Sequence, residues 1–268
     1  MKKRRLTPKL LDQLSELRNT RESIDRYYLN FLVNAAKYAN FVHYVLEFKP
    51  DNETLQIPII QYISSLVSCW ETFFRDVFIF MTSIDTAFMN DICNKLNIDS
   101  STYKNLIDDD TFSEFLSKSF NFQSIDEIES AFEFIFNKHM FSIIGSYEIP
   151  NLFIRGRFKK DFCINKLFPE WEADIFKAFD ERHKITHDAN YIKCINIDKR
   201  FIQSVETIFV IFPQVLSIWL ASKYNLSYTT MLMNTEQLTI SKDNDNSNSY
   251  PYLFIIDDLI SKEWIICD

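Results

Sequence analysis

Glycine is the scarcest informative residue in this sequence. Only 2 glycines occur among 268 residues, and these, Gly145 and Gly156, are eleven positions apart. A dinucleotide-binding loop, a phosphate-binding loop and the nucleophile elbow of α/β-hydrolases all need closely spaced glycines. Neither glycine here is followed by Lys-Ser or Lys-Thr. The sequence therefore excludes Rossmann dehydrogenases, P-loop nucleoside triphosphatases and α/β-hydrolases.

Paired cysteines, long apolar runs and excess positive charge are also missing. The 5 cysteines form no CxxC pair, which argues against zinc knuckles and dithiol redox sites. The basic start MKKRRLTPK leads into no apolar leader segment, and no run of about 18 apolar residues is evident. We therefore expect a cytoplasmic protein with no membrane partner. A net charge of −8 argues against broad, non-specific nucleic-acid binding.

What the chain does contain is helical periodicity and 26 phenylalanines, which we expect to pack mainly in its core. Apolar residues recur every three to four positions over about 8–47, 58–81, 169–187 and 198–224. In the first of these helices, the seam includes Tyr28, Phe31, Ala35, Tyr38 and Val42. Shorter helices are predicted near 86–96, 113–120 and 126–136, the last with a capping box from Ser124 to Glu127.

These patterns predict an all-α protein with a small β-rich addition. We expect a helical bundle over residues 1–224, with a long N-terminal helix and a helical insertion at about 84–165. Beyond residue 225, short β-leaning segments alternate with polar turns, which predicts a C-terminal β-appendage over 225–268.

The helix at 169–187 carries polar residues where its apolar pattern predicts core. Its apolar stripe continues into Arg182, His183 and Thr186, and polar groups in such positions need partners or a function. His187 follows His183 by four residues, so both imidazoles share one helix face. Arg182 and His187 are about 140° apart around an ideal helix. The predicted stripe consists of Phe168, Trp171, Ile175, Phe176 and Phe179.

The string ERHKITHDAN at 181–190 resembles the R-x4-6-H motif of HEPN domains. In that motif an Arg is followed by a polar residue and, four residues later, by a His; here these are Arg182, His183 and His187. The segment CWETFFRDVF is similar to the first core helix of the RiboL-PSP-HEPN type, with Glu71 and Arg75 in its polar positions. The resemblance covers these two helices closely and residues 55–225 in outline.

The resemblance implies an HEPN-like antiparallel bundle that works as a homodimeric, metal-independent endoribonuclease without a cofactor. In such an enzyme His187 would act as general acid or base, Arg182 would hold the phosphate, and His183 would be a second polar contact. Glu71 would orient Arg182 or a histidine. The products would carry 2′,3′-cyclic phosphate and 5′-hydroxyl ends. The setting it implies is bacterial defence, stress or a toxin–antitoxin system, with RNA and a cognate antitoxin or sensor protein as partners.

The main basic cluster within the chain lies just before this helix. It is interpreted either as a contact surface for RNA or as an ordinary solvated loop. Its members are Arg155, Arg157, Lys159 and Lys160.

Each predicted site residue also has a structural alternative. Arg182 would serve equally well as a buried partner of Glu71, and Glu71 with Arg75 as an i,i+4 helix bridge. His183 fits a core histidine, and His187 fits a cap at the helix C-terminus. The two histidines with Asp188 suggest a metal site, but no Glu follows His183 as the HExxH motif requires, so no metal is assigned.

The alternative function is a catalytically silent HEPN-like module. Such a module would dimerise and bind a protein or nucleotide partner, and the acidic balance and regular apolar seam favour it.

Overall fold

The computed structural model describes residues 24–48, 52–99, 109–137, 139–154, 157–187 and 199–226. These residues are mostly helical, which confirms the all-α class. In chain order the elements are α1 (Ile24–Glu47), α2 (Asn52–Ile84), α3 (Thr86–Leu96), α4 (Asp109–Ser117), α5 (Ile125–Phe136), α6 (Met140–Ser146), β1 (Ile149–Ile154), β2 (Arg157–Phe162), α7 (Ile164–Leu167), α8 (Trp171–His187) and α9 (Lys199–Lys223). Two predicted features, the helix over 8–23 and the β-appendage beyond residue 226, lie outside the described residues.

The described chain divides into two compact units. The first contains α1 up to Tyr27 together with Glu71–Met140, and the second contains Tyr28–Trp70 together with the residues from Phe141 onward. The boundary crosses α2, and the first unit does not coincide with the helical insertion expected over about 84–165. Each unit has its own aromatic core.

The first unit is built around a cluster of phenylalanines. Phe78 contacts Phe88, Phe120, Phe122 and Phe132, with ring centroids 5.0–6.0 Å apart and mainly edge-to-face geometry. Such pairs stabilise a core beyond the burial of their area alone. The capping box predicted for α5 is present on the Ser124 side, since the Ser124 hydroxyl accepts a hydrogen bond from the Glu127 amide at 3.2 Å.

The second unit centres on Trp70 of α2. Its indole stacks on Phe209 of α9 at 4.3 Å, and its Nε1–H donates to the Phe209 carbonyl at 2.6 Å. That carbonyl is the one to which residue 213 would donate in a regular helix, but residue 213 is proline and has no N–H. The indole therefore supplies the donor that Pro213 lacks, and α9 continues through the proline.

Two helix predictions need correction. Helix α2 begins at Asn52 and not at Pro58, so Pro58 lies inside the helix near its start. In α1, Tyr38 was assigned to the buried seam, but it is 40% exposed, and the buried residues beside it are Ala35, Ala39 and Val42. The apolar faces predicted for α2 and α9 are confirmed, because all their members are buried. These are Ile59, Ile60, Ile63, Leu66, Val67, Trp70, Phe73, Phe74, Val77 and Phe78 in α2, and Phe201, Val205, Ile208, Phe209, Phe212, Leu216 and Leu220 in α9.

An antiparallel hairpin of β1 and β2 leads toward α8. It is closed at its base by the pair of Ile149 and Phe162, which are both buried. The sequence patterns did not predict these strands.

One helical segment, Ser204–Lys223 of α9, has the length and composition of a membrane span. It is not an unbroken apolar run, because it contains Glu206 and Gln214. Because 83% of it is buried inside the structure, it is consistent with the core helix of a soluble protein.

Candidate functional site

Helix α8 carries the Arg-His motif, and its charged residues are distributed favourably for the helix dipole. Glu172 and Asp174 lie in its first turn, and Lys184 and His187 lie in its last turn. Acidic residues near the N-terminus and basic residues near the C-terminus of a helix are both favourable. Asp174 also accepts a hydrogen bond from Ser204 of α9, which fixes α8 against the core helix of the second unit.

The two faces of α8 separate the residues of the motif. Trp171, Ile175 and Ala178 are buried at successive turns, and Arg182 continues this row as a half-buried side chain. His183 and His187 are both exposed, on the face that also carries Phe176, which is 51% exposed. The prediction that Phe176, His183 and Thr186 belong to the core-facing stripe is therefore wrong. All three side chains are exposed in the structure.

The structure brings the two histidines together. The ring centroids of His183 and His187 are 4.5 Å apart with an angle of 51° between the planes. The i,i+4 spacing produces this proximity, because residues four apart lie one above the other on a helix. Both imidazoles therefore face the solvent from one patch at the end of α8.

Arg182 lies on a different side of the same helix. Its carbonyl accepts a hydrogen bond from the Thr186 hydroxyl at 2.8 Å, a back-bond within the last turn. The half-buried guanidinium and the exposed His187 are five residues apart in continuous helix, which keeps the 140° between them. The two side chains therefore leave α8 in different directions.

Ion pairs that the sequence analysis did not consider flank the histidines. Lys184 Nζ lies 2.5 Å from Asp180 Oδ2 and 3.7 Å from Glu181 Oε1. Asp180 is on the exposed face, one turn before His183. The i,i+4 spacing of opposite charges was the signal that would have identified this pair.

Glu71 and Arg75 belong to the first unit, whereas the histidines belong to the second. Glu71 is buried, and Arg75 is half-buried with its guanidinium 5.7 Å from the centre of the Phe122 ring. This cation–π contact gives Arg75 a packing role within its unit. The orienting role of Glu71 toward Arg182 or a histidine stays a prediction.

The basic cluster forms part of the hairpin and not a plain loop. In the backbone register Arg157 pairs with Ile154, Lys159 with Leu152 and Lys160 with Asn151. Arg155, which lies between the strands, is outside the described residues.

A buried pair of ionisable residues also escaped the sequence analysis. The Tyr62 hydroxyl of α2 donates to Glu206 Oε1 of α9 at 2.5 Å, and both side chains are buried. Burial, and then the neighbouring Glu206 carboxylate, raise the pKa of Tyr62 well above its ordinary value. Burial also raises the pKa of Cys69, two turns along α2, to about 11.

In the part of the chain that the structure describes, no three His, Cys, Asp or Glu side chains converge as a metal site. Comparison with protein-family models, with curated proteins and with solved structures finds no match for this chain.

Proposed function

We propose that this chain is a metal-independent endoribonuclease that acts as a homodimer, with Arg182, His183 and His187 at its catalytic centre. The observation that carries the proposal is the pair of exposed imidazoles, 4.5 Å apart at the end of α8, directly after the half-buried Arg182. Solvent-facing histidines at the end of an anchored helix are accessible to a polymeric substrate such as RNA.

The residue types fit RNA cleavage by internal attack. An imidazole, whose ordinary pKa lies near neutrality, accepts the proton of the ribose 2′-hydroxyl or donates one to the leaving 5′-oxygen. We assign this work to His187. The Arg182 guanidinium binds the phosphate and offsets the charge that develops on its oxygens. His183 is the second polar contact to the same phosphate.

The angle between Arg182 and His187 favours a site built from two chains. Because these residues are about 140° apart on one helix, a phosphate held by one chain's Arg182 is reached more easily by the other chain's His187. Facing motifs across a two-fold axis would supply both combinations. Dimerisation is thus part of the proposal and not an addition to it.

The hairpin supplies positive charge in the same unit as the histidines. Arg155, Arg157, Lys159 and Lys160 are the proposed RNA contacts. A local cluster suits a chain with a net charge of −8, since a broad attractive field is not expected. We place the protein in the cytoplasm, in bacterial defence, stress or toxin–antitoxin function, with a cognate antitoxin or sensor as a further partner. HEPN-like architecture is part of this proposal.

The test is RNA cleavage by the purified full-length chain in EDTA, comparing wild type with His187→Ala and Arg182→Ala. We expect each substitution to lower the cleavage rate by at least about a hundredfold, because His187→Ala removes the general acid or base and Arg182→Ala removes the positive charge that stabilises the phosphate. His139→Ala is the matched control, because His139 is an exposed histidine of the first unit, outside the motif.

Products with 5′-hydroxyl ends that a polynucleotide kinase labels would support internal attack. Cleavage that survives in His187→Ala, or that EDTA abolishes in the wild type, contradicts the proposal.

A second candidate function is supported by α1. Three exposed aromatic side chains follow one face of this helix, and an exposed phenylalanine comes directly after its end, as expected for a module that binds another protein. A silent module of this kind would form a stable dimer or complex and cleave no RNA. The residues and their exposures are Tyr38 at 40%, Phe41 at 52%, Tyr44 at 60% and Phe48 at 68%.

A further inference from the structure

The paired imidazoles of α8 also have the geometry of a metal chelate. We propose that His183 and His187 bind one divalent transition-metal ion, such as Zn²⁺, and that this ion closes the catalytic centre. The metal would act as an inhibitor of cleavage and not as a cofactor. The inhibitory consequence rests on the proposed function, whereas the binding itself does not.

The spacing of the two rings fits a shared ion. Metal–nitrogen bonds of about 2.0–2.1 Å, with angles between square-planar and tetrahedral, place two imidazole centres about 4.4–5.2 Å apart. The observed separation is 4.5 Å. Two histidines four residues apart on a helix are also the arrangement by which the HExxH motif supplies its first two zinc ligands. The distance between the two ring centres is therefore compatible with one ion bound by both rings.

The surroundings favour a cation at this place. Both rings are exposed, so an ion reaches them and keeps water molecules on its remaining coordination positions. His187 is the last residue of α8, and the C-terminal end of a helix carries partial negative charge. Asp180 lies on the same face one turn earlier, and its carboxylate neutralises Lys184, the nearest lysine in the helix.

Two protein ligands define the class of ion. Imidazole suits zinc, copper and nickel, whereas Mg²⁺ prefers oxygen ligands and keeps its water. We expect reversible binding, as suits a regulator, because the proposed site has two protein ligands and leaves the other coordination positions to water.

The proposed function gives the ion its effect. General acid–base work by His187 requires a ring nitrogen whose lone pair exchanges a proton with the substrate. A coordinated metal occupies that lone pair, and the ion also occupies the position where the phosphate would bind. Zinc should therefore inhibit cleavage, and EDTA should restore it.

Direct binding is the decisive experiment and needs no RNA. Zn²⁺ is titrated into the full-length wild type and into His183→Ala, His187→Ala and His139→Ala, with heat or a competing zinc dye as the readout. We expect one site per chain, and about a hundredfold weaker binding when either histidine of the pair is removed, because the second imidazole binds intramolecularly. His139→Ala should bind as the wild type does, and Mg²⁺ should not compete.

The outcomes separate this inference from the proposed function. No saturable zinc binding by the wild type, or equal binding by His183→Ala, overturns the metal site whatever the RNA assay shows. Zinc binding at the pair without RNA cleavage by the metal-free protein supports the site and contradicts the nuclease. If cleavage occurs, zinc should inhibit it over the same concentration range in which it binds; cleavage that persists at saturation overturns the inhibitory role.

Discussion

At the scale of single residues, a buried hydrogen bond from Tyr62 to Glu206 is important for stability. It joins α2 to α9 inside the second unit at 2.5 Å. Both side chains are buried, so the loss of either partner leaves a buried polar atom in an apolar environment. The pair had no signature in the sequence, because its members are 144 positions apart.

We expect the burial of Tyr62, together with its contact to Glu206, to make the stability of the protein fall in alkali. The folded state raises the pKa of Tyr62 above the ordinary value of 10.0, so the folded chain holds the phenolic proton more tightly than the unfolded chain does. Stability is therefore fully present below about pH 10 and is lost as the pH rises through the folded pKa. Cys69 acts in the same direction from pH 9.0 toward its folded pKa of about 11.

The measurement is the free energy of unfolding in urea between pH 7 and 11, for wild type and Tyr62→Phe. We expect Tyr62→Phe to cost about 1–3 kcal/mol at pH 7, because Glu206 loses a buried donor, and to decline less steeply above pH 10. An identical alkaline slope in both proteins would contradict this account.

The residues of α8 explain why the sequence predicts the candidate site only in part. The sequence identifies Arg182, His183 and His187 as the unusual residues of α8. It does not determine which of them face the core. Neighbouring residues point 100° apart around the helix axis, and the packing of α8 against α9 decides which side is buried. Phe176 illustrates the problem: its apolar character suggested burial, yet it lies on the exposed histidine face.

At the scale of elements, α9 passes through Pro213 because Trp70 compensates for it. The missing amide hydrogen bond of residue 213 leaves the Phe209 carbonyl in need of a donor, and the Trp70 indole provides one at 2.6 Å. Hydrogen bonding of this kind, from a different helix, is one way a core helix tolerates an internal proline.

A double-mutant cycle tests this compensation. Trp70→Phe should destabilise the protein by several kcal/mol, since it removes both packing and the indole N–H that donates to that carbonyl. In a Pro213→Ala background the helix restores its own hydrogen bond, so the same substitution should cost about 1–2 kcal/mol less. Urea denaturation of the four proteins gives the coupling energy, and a coupling near zero would count against the compensation.

The sequence predicts the helices α2 and α9 but not the β1–β2 hairpin, and the reason is physical. Helices α2 and α9 have apolar stripes at helical spacing, so local pattern and tertiary burial agree. The β1–β2 hairpin has no such pattern, since β1 contains Pro150 and β2 reads RFKKDF. Its strands exist through pairing across the hairpin, with the buried Ile149 opposite Phe162 at the base. Pairing between strands is not visible in the composition of either one.

At the scale of the whole molecule, the acidic balance limits how RNA is bound. With 29 basic and 37 acidic residues, the protein repels a polyanion at long range, and attraction must come from a few local cations. The proposed contacts are one arginine of α8 and the basic cluster, five cations in each chain: Arg182, Arg155, Arg157, Lys159 and Lys160.

This small number predicts a weak salt dependence for each chain's contact. Five phosphate contacts to single-stranded RNA give a slope of about −3.5 in a plot of log affinity against log salt concentration. The slope is measured with His187→Ala, so that the RNA stays intact, and should be shallower by about 0.7 when Lys159→Ala is added. A much steeper slope would indicate a broad basic surface that the proposal does not contain.

The division into two units has an optical consequence. The tryptophans among the described residues, Trp70, Trp171 and Trp219, all lie in the second unit, and the sequence of residues 1–27 and 71–140 contains none. Trp70 and Trp171 are fully enclosed by other side chains. Tryptophan fluorescence therefore comes from the second unit alone, and the phenylalanine core of the first unit does not contribute to it. A change in tryptophan fluorescence therefore reports on the unit that contains the paired histidines.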